Sequence, residues 1–139
     1  SVTGVQTCAL PISHSDFGDF DTPVTLRMRQ ALAMVHARAP ELEIDGEMQA
    51  DTALIEAVRQ RKLPSSTLKG EANLLVMPGL TSANVAYQIM KVFGDALPVG
   101  PILLGTAKPA HILTGSVTSR GVVNMTAIAV AEAATAAQG

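Results

Sequence analysis

Residues 100–124 read GPILLGTAKPAHILTGSVTSRGVVN. The apolar run through Leu104 predicts a buried strand over residues 99–104, and Lys108-Pro109 predicts a turn. Residues 111–114 predict a second short strand and residues 115–119 a loop. Ser119 then caps a last helix that starts at Arg120. No other part of the chain is as dense in Gly, Pro, Ser and Thr. A loop of small polar residues held between apolar elements is where an α/β domain places its ligand.

Working outward, residues 73–77 (NLLVM) form a continuous apolar run before Pro78-Gly79, the pattern of a buried, parallel strand. Thr81 or Ser82 caps the next helix, with Val85, Ala86, Ile89, Met90 and Phe93 on its apolar face and Gly94 at its end. Asn84, Gln88 and Lys91 share its polar line. Asn84 falls in the first turn, beside the carboxyl end of the strand, where open α/β sheets bind. Toward the start, Thr22-Pro23 opens a helix with Val24, Met28, Ala31 or Leu32, and Val35 on one face, ended by Pro40. Arg27, Arg29, His36 and Arg38 lie off that face and read as solvated. Leu42-Glu43-Ile44 alternates as a short strand and enters Asp45-Gly46-Glu47. Those two acids suit acid–base chemistry, a metal or simple turn formation, and no His or Cys adjoins them. Asp51 starts a helix through Lys62, with Arg59, Arg61 and Lys62 at its negative end.

The last helix carries Val122, Val123, Met125, Ile128, Ala129, Val130 and Ala133 around nearly its whole circumference. Such a helix is buried on several sides or lies in a subunit interface, and the tail from Ala134 frays. The predicted order is helix, strand, helix, strand, helix, strand, strand, helix. It implies an α/β fold, a three-layer α/β/α sandwich with a mixed, mostly parallel sheet.

Composition limits the function. The chain has 139 residues, enough for one domain with its own core, and is 47% hydrophobic. Aromatic residues make up 3% and the net charge is −2, which argues against a base-stacking platform or a phosphate-binding footprint, hence no nucleic acid. The longest apolar tract contains Asn124 and Glu132 and is Ala-rich, so no membrane partner is expected. One cysteine, Cys8, excludes an intrachain disulfide framework and suits a cytoplasmic location. Residues 1–12, SVTGVQTCALPI, carry no charge, period or cap. They resemble translated adapter read-through, so the domain is expected to occupy residues 13–139 and to lack the strand before Ser13.

Five phrases then line up in order. They are Asp45-Gly46-Glu47-Met48-Gln49-Ala50-Asp51, Leu68-Lys69-Gly70 with 72–78, Ala83-Asn84-Val85-Ala86-Tyr87-Gln88, Gly100-Pro101-Ile102-Leu103-Leu104-Gly105, and Lys108-Pro109. Together they resemble the phosphate acetyl/butyryl transferase family. The phrases Ser13-His14-Ser15-Asp16-Phe17-Gly18, 108–114 with Ser116-Val117-Thr118, and 120–125 resemble above all the C-terminal domain of multidomain bacterial NADP-dependent malic enzymes. The resemblance implies an isocitrate/isopropylmalate dehydrogenase-like sandwich, truncated here at its N-terminus.

It also implies a chemistry. Moving an acetyl group between CoA and phosphate needs a base for the thiol and donors for the developing oxyanion. The family's Ser, Arg and Asp fall by alignment on Thr114, Gly115 and Gly121. Two of those three carry no functional group, so no catalytic residue is expected. Ser13, Ser15, Asn84, Gly105, Lys108, Thr114 and Ser116 are the cofactor-binding candidates, with Lys108 placed to meet a CoA phosphate. Acetyl-CoA is the ligand implied, the other domains of a parent malic enzyme and further copies of the chain are the partners, and NADP and a divalent metal belong only to the missing domains. Two other readings stand beside this one. One is an active phosphate acyltransferase using Asp45 or Glu47 as base, and the other a structural oligomerisation module.

Overall fold

The computed structural model describes residues 7–94 and 97–136. The order of elements is β1 (Cys8–Pro11), α1 (Pro23–Arg38), β2 (Glu43–Ile44), α2 (Ala50–Leu54), α3 (Glu56–Lys62), β3 (Leu74–Val76), α4 (Leu80–Phe93) and α5 (Ser119–Ala136). Two compact units divide after Gln88, within α4.

The first unit is built on a parallel sheet in the order β2-β1-β3. Cys8 pairs with Glu43, and Ala9 with both Ile44 and Leu74. Leu10 and Pro11 pair with Leu75 and Val76. Parallel neighbours need crossovers, which α1 and the α2–α3 pair supply. Cys8, Leu10, Ile12, Met48, Ala53 and Leu68 form the core, and Leu75 and Met77 pack against it. Residues 8–12, set aside on sequence as a foreign leader ahead of the domain, thus supply its central strand. Their short apolar run CALPI can be buried on both faces without any charge to neutralise. Pro11 ends the strand, where its missing N–H forfeits no ladder bond, while its carbonyl accepts from Met48 N–H at 3.1 Å. The parts of the leader and tail readings that concern residues 1–6 and 137–139 lie outside the described residues.

Helix α1 forms as expected. Thr22 caps it, Pro23 is its first residue, and a capping box joins Thr22 to Thr25. Val24, Met28, Leu32 and Val35 turn inward to differing degrees, with Met28 and Thr25 buried. His36, expected in solvent, is exposed, with Nε2 3.1 Å from the Ile44 carbonyl, and Arg29 pairs with Asp21.

The single helix expected from Asp51 to Lys62 is two helices. Ile55 is extended at φ −117°, ψ 102° and separates α2 from α3. Arg59, expected as a solvated helix-end charge, is 1% exposed. Its guanidinium donates to the Thr52 and Ala53 carbonyls at 3.2 and 3.0 Å, and to Gly70 O. The end of α2 is therefore capped by a side chain from α3, which satisfies carbonyls that a continuous helix would have paired internally.

In the second unit the expected strands at 99–104 and 111–114 do not form; among the described residues the sheet has three strands, all parallel, rather than a mixed arrangement. Gly100 has φ +133° and Pro101 offers no N–H, so the first run cannot hold a regular ladder. Leu103 N–H goes instead to His111 Nδ1 at 3.3 Å. The cap of α5 also moves by one residue. Thr118 Oγ1 accepts from Gly121 N–H at 3.1 Å, which leaves Ser119 as the first helical residue. Neither long apolar helix is buried: α4 buries none of its residues and α5 only Met125. Leu74 and Val76 of β3, expected to be covered, are 47% and 40% exposed at the edge of the sheet.

Two measurements test this placement of β1. Leu10→Ala, at a fully buried position, should lower stability by about 2–5 kcal/mol in urea unfolding, where a dispensable leader would show no change. Burial, followed by a hydrogen bond with Glu43, raises the Cys8 thiol above its ordinary value. Iodoacetamide should accordingly label Cys8 slowly in native protein at neutral pH and rapidly in urea.

Candidate functional site

The three strands of the first unit all point their carboxyl ends to one edge, and the loops leaving Ile12, Ile44 and Val76 gather there. That edge is where open α/β sheets bind ligands. Its organising group is Glu47, which is fully buried. Its carboxylate accepts from Ser13 Oγ, from Ser15 Oγ at 3.1 Å and from Gly18 N–H at 2.9 Å. A buried charge of this kind is tolerated only when donors surround it.

The sequence folds this way because two glycines allow it. Gly18 has φ +89°, which turns its N–H toward Glu47, and a Cβ there would lie 2.0 Å from the Arg29 guanidinium. Gly46 has φ +129°, and a Cβ there would lie 3.1 Å from the Pro11 carbonyl. The Asp-Gly-Glu turn therefore packs against the end of β1. Its two carboxylates point to different partners: Asp45 accepts from Ser66 Oγ at 2.6 Å and Thr67 N–H at 2.9 Å. Beside them Asp16, also buried, accepts from Gln49 N–H at 2.8 Å and lies 3.5 Å from Lys62 Nζ.

This arrangement engages the first two binding candidates. Ser13 Oγ receives Ser15 N–H at 2.9 Å while donating to Glu47. Ser15 Oγ receives Phe20 N–H at 3.1 Å and is buried. Both hydroxyls hold the 13–20 loop in shape. Asn84 lies in the second turn of α4 rather than the first and is exposed; Gly79 O starts the helix and Ser82 Oγ returns to it at 2.8 Å. In the second unit Gly105 and Lys108 are exposed on the loop, Gly105 with φ +83°. Thr114 Oγ1 and Ser116 Oγ sit 3.2 Å apart. Gly115 has open space where a Cβ would go, whereas a Cβ on Gly121 would lie 2.7 Å from Val117 Cγ2.

Sequence reading missed three residues that organise the first unit: Glu47 as a buried acceptor, Asp16, and Arg59. The Asp-Gly-Glu phrase and the Ser-x-Ser-x-x-Gly spacing were visible, but nothing in the chain alone paired them across some thirty positions. Among the described residues no group of three or more His, Cys, Asp and Glu side chains is placed to hold a metal ion. No helix of the described residues is long and apolar enough to cross a membrane.

These loops and glycines belong to a known class of fold. A profile of the phosphate acetyl/butaryl transferase family matches residues 4–130, and the chain belongs to that family. Over 129 residues it is 56% identical to the NAD-dependent malic enzyme of Rhizobium meliloti, covering 93% of this chain and 17% of the relative. It is 49% identical to the NADP-dependent malic enzyme of Escherichia coli over 133 residues, covering 95% of this chain and 18% of that enzyme. The solved EutD phosphotransacetylase from Staphylococcus aureus superposes with a TM-score of 0.85 at 30% identity, covering 97% of this chain and 41% of that one. The chain thus spans under a fifth of the length of these two curated relatives. The expected relation to the C-terminal domain of malic enzymes is supported at the level of this homology, while the two relatives differ in the dinucleotide they are named for.

Glu47→Gln puts an amide donor against the donors that now face the carboxylate. It should cost about 1–3 kcal/mol in urea unfolding and raise protease cleavage within residues 14–20. Glu43 makes a pH-dependent contribution. The Lys69 N–H, at 2.8 Å, and the Cys8 side chain hold its carboxyl below the ordinary glutamate value. A lowered folded value means the stabilisation is present above the ordinary range and disappears as pH falls through the lowered value. Glu43→Gln should therefore lower the urea midpoint at neutral pH and converge with the parent protein in acid.

Proposed function

We propose that this chain is the phosphate-acetyltransferase-like domain of a malic enzyme and that it binds acetyl-CoA as a regulatory and oligomerisation domain without catalysing acyl transfer. In this reading the complete domain is a three-layer α/β/α sandwich of the isocitrate/isopropylmalate dehydrogenase type. Malate oxidation, NAD or NADP, and a divalent metal belong to other domains of a cytoplasmic parent enzyme.

The observation that carries the reading is Gly121. It stands by alignment where the family's acid stands, and a Cβ there would meet the Val117 side chain at 2.7 Å. A side chain at 121 would therefore require the exposed Val117 side chain to shift. Gly115, at the position aligned with the family's Arg, brings no charge to a developing oxyanion. Thr114 and Ser116 keep hydroxyls side by side, and Lys108 is exposed, which supports recognition of a phosphate-bearing ligand without turnover. The alternative bases fare poorly: donors already occupy the carboxylates of Asp45 and Glu47. Regulation requires that acetyl-CoA bind one global state of the parent enzyme better than another.

Calorimetric titration with acetyl-CoA, beside an assay for acetyl phosphate in the presence of phosphate, tests this. Saturable binding without acetyl phosphate is the expected result, and Lys108→Ala should weaken it roughly three- to tenfold. Acetyl phosphate formation would make the chain an active acyltransferase. Neither binding nor turnover in folded protein would leave a structural module.

A further inference from the structure

We propose that His111 is a proton-controlled clasp: its neutral ring ties the 103–111 loop to α5, and a proton taken up by the ring releases that loop at Leu103. The loop carries Gly105 and Lys108, so the clasp regulates the ligand site proposed above. Only that last consequence rests on acyl-CoA binding.

The first observation is where the ring sits. His111 lines a groove of about 350 Å³ against α5, with Leu113, Met125, Ala129 and Val130 around it, and its side chain is 4% exposed. Its two nitrogens meet different elements. Nδ1 takes the Leu103 N–H at 3.3 Å, eight positions back along the chain. Nε2 lies 3.1 Å from Oε2 of Glu132 on α5. An imidazole nitrogen that accepts carries no proton, so the neutral ring holds its proton on Nε2, facing the carboxylate.

The second observation is how little else holds the loop. Among the described residues, the bond from Leu103 to His111 is the one hydrogen bond made by residues 99–113. Residues 101–108 are exposed throughout. A segment with one internal tie and little burial opens at low free-energy cost, and losing the tie opens it further.

The proton decides whether that tie survives. Imidazole is the side chain whose charge ordinarily changes between about pH 5 and 8. A second proton has only Nδ1 to go to, since Nε2 already holds one. Nδ1–H then faces the Leu103 N–H, donor against donor, and the loop's bond is lost. On its other side the ring becomes a cation beside the Glu132 carboxylate. The Nε2–H is off the line of a good hydrogen bond there, but charge attraction is far less directional. The ring therefore stays on α5 while the loop leaves. The other charged side chains among the described residues of this unit are the cations Lys91 of α4, Lys108 of the loop itself and Arg120. Lys91 and Lys108 are exposed, and Arg120 is twelve residues from Glu132, about 18 Å along α5. Glu132 is thus the acid that the ring answers to.

Nitrogen-15 spectra of the histidine rings in the full chain, taken from about pH 8.5 down to about pH 5, test this. At the upper end His111 should show its proton on Nε2. As the ring takes its second proton, the Leu103 amide should shift with the same midpoint. Its exchange protection, relative to the unstructured rate at each pH, should fall about tenfold or more. His111→Asn keeps a side-chain oxygen to accept the Leu103 N–H and has no proton to gain, so the step should vanish while the protection stays. Glu132→Gln removes the charge that favours the second proton and should move the step to lower pH. A ring proton on Nδ1 at the upper end overturns the proposal, and no variant is needed to see it. A Leu103 step that persists in His111→Asn overturns it as well. Acetyl-CoA affinity should fall about threefold or more through the same midpoint in the parent chain and not in His111→Asn. If acetyl-CoA binds at no pH, the ligand reading fails, and the ring and amide signals still decide the clasp.

Discussion

The first unit depends on a strand that must be satisfied on both edges at once. Ala9 pairs with Ile44 on one side and Leu74 on the other, and Leu10 and Ile12 are buried between. A backbone group left unpaired there would cost about as much as a lost hydrogen bond in a medium without water. Everything nearby meets that demand. Asn73 turns its side-chain oxygen back to Cys8 N–H at 2.9 Å, and Ile12 N–H reaches Val76 O at 2.8 Å. The isolated bridge from Ile12 to Met48 extends the pairing beyond the strand proper. Once β1 is in place, the loops at its carboxyl end have nowhere to go but the edge where Glu47 waits.

Glu47, Asp16 and Asp45 show how a small domain can bury acids without burying bases beside them. Hydroxyl and backbone N–H donors face Glu47 and Asp45, while Asp16 takes the Gln49 N–H and, alone of the three among the described residues, has a cation within 4 Å, Lys62 at 3.5 Å. The donors come from loops that have no regular structure of their own, so the carboxylates order the loops as much as the loops stabilise the carboxylates. Arg59 is the inverse case. It is a buried cation whose donors go to helix and loop carbonyls, and it fixes the corner between α2 and α3. These groups make a rigid platform of the kind a binding edge requires. They also explain why hydroxyls that looked available in the chain are committed inside it.

The second unit follows another logic. Its helix is well formed, with a Thr118 cap and regular backbone, but its apolar residues face outward. The same loop preserves hydroxyls at Thr114 and Ser116 and a lysine at 108, while glycine stands at 115 and 121.

Local chemistry was enough to settle several features from the chain alone. Thr22-Pro23 specified the start of α1, because a capping hydroxyl and a fixed φ act within one turn. The alternation at 42–44 and the apolar run at 73–77 specified strands, and the ordered phrases specified the family, since spacing is preserved in the chain itself. The likeness to phosphotransacetylase structures was legible in the same way. Other features required the tertiary structure. CALPI looked foreign because its meaning lies in its partners, Glu43, Ile44 and residues 74–76, which are distant in sequence. Ser13 and Ser15 looked like ligand donors because the carboxylate that accepts their hydrogen bonds is 34 and 32 positions away. Arg59 looked solvated because helix periodicity does not report that a neighbouring helix ends beside it. The strands expected at 99–104 and 111–114 failed because a strand is a relation between chains of residues, and hydrophobic sequence supplies only half of that relation.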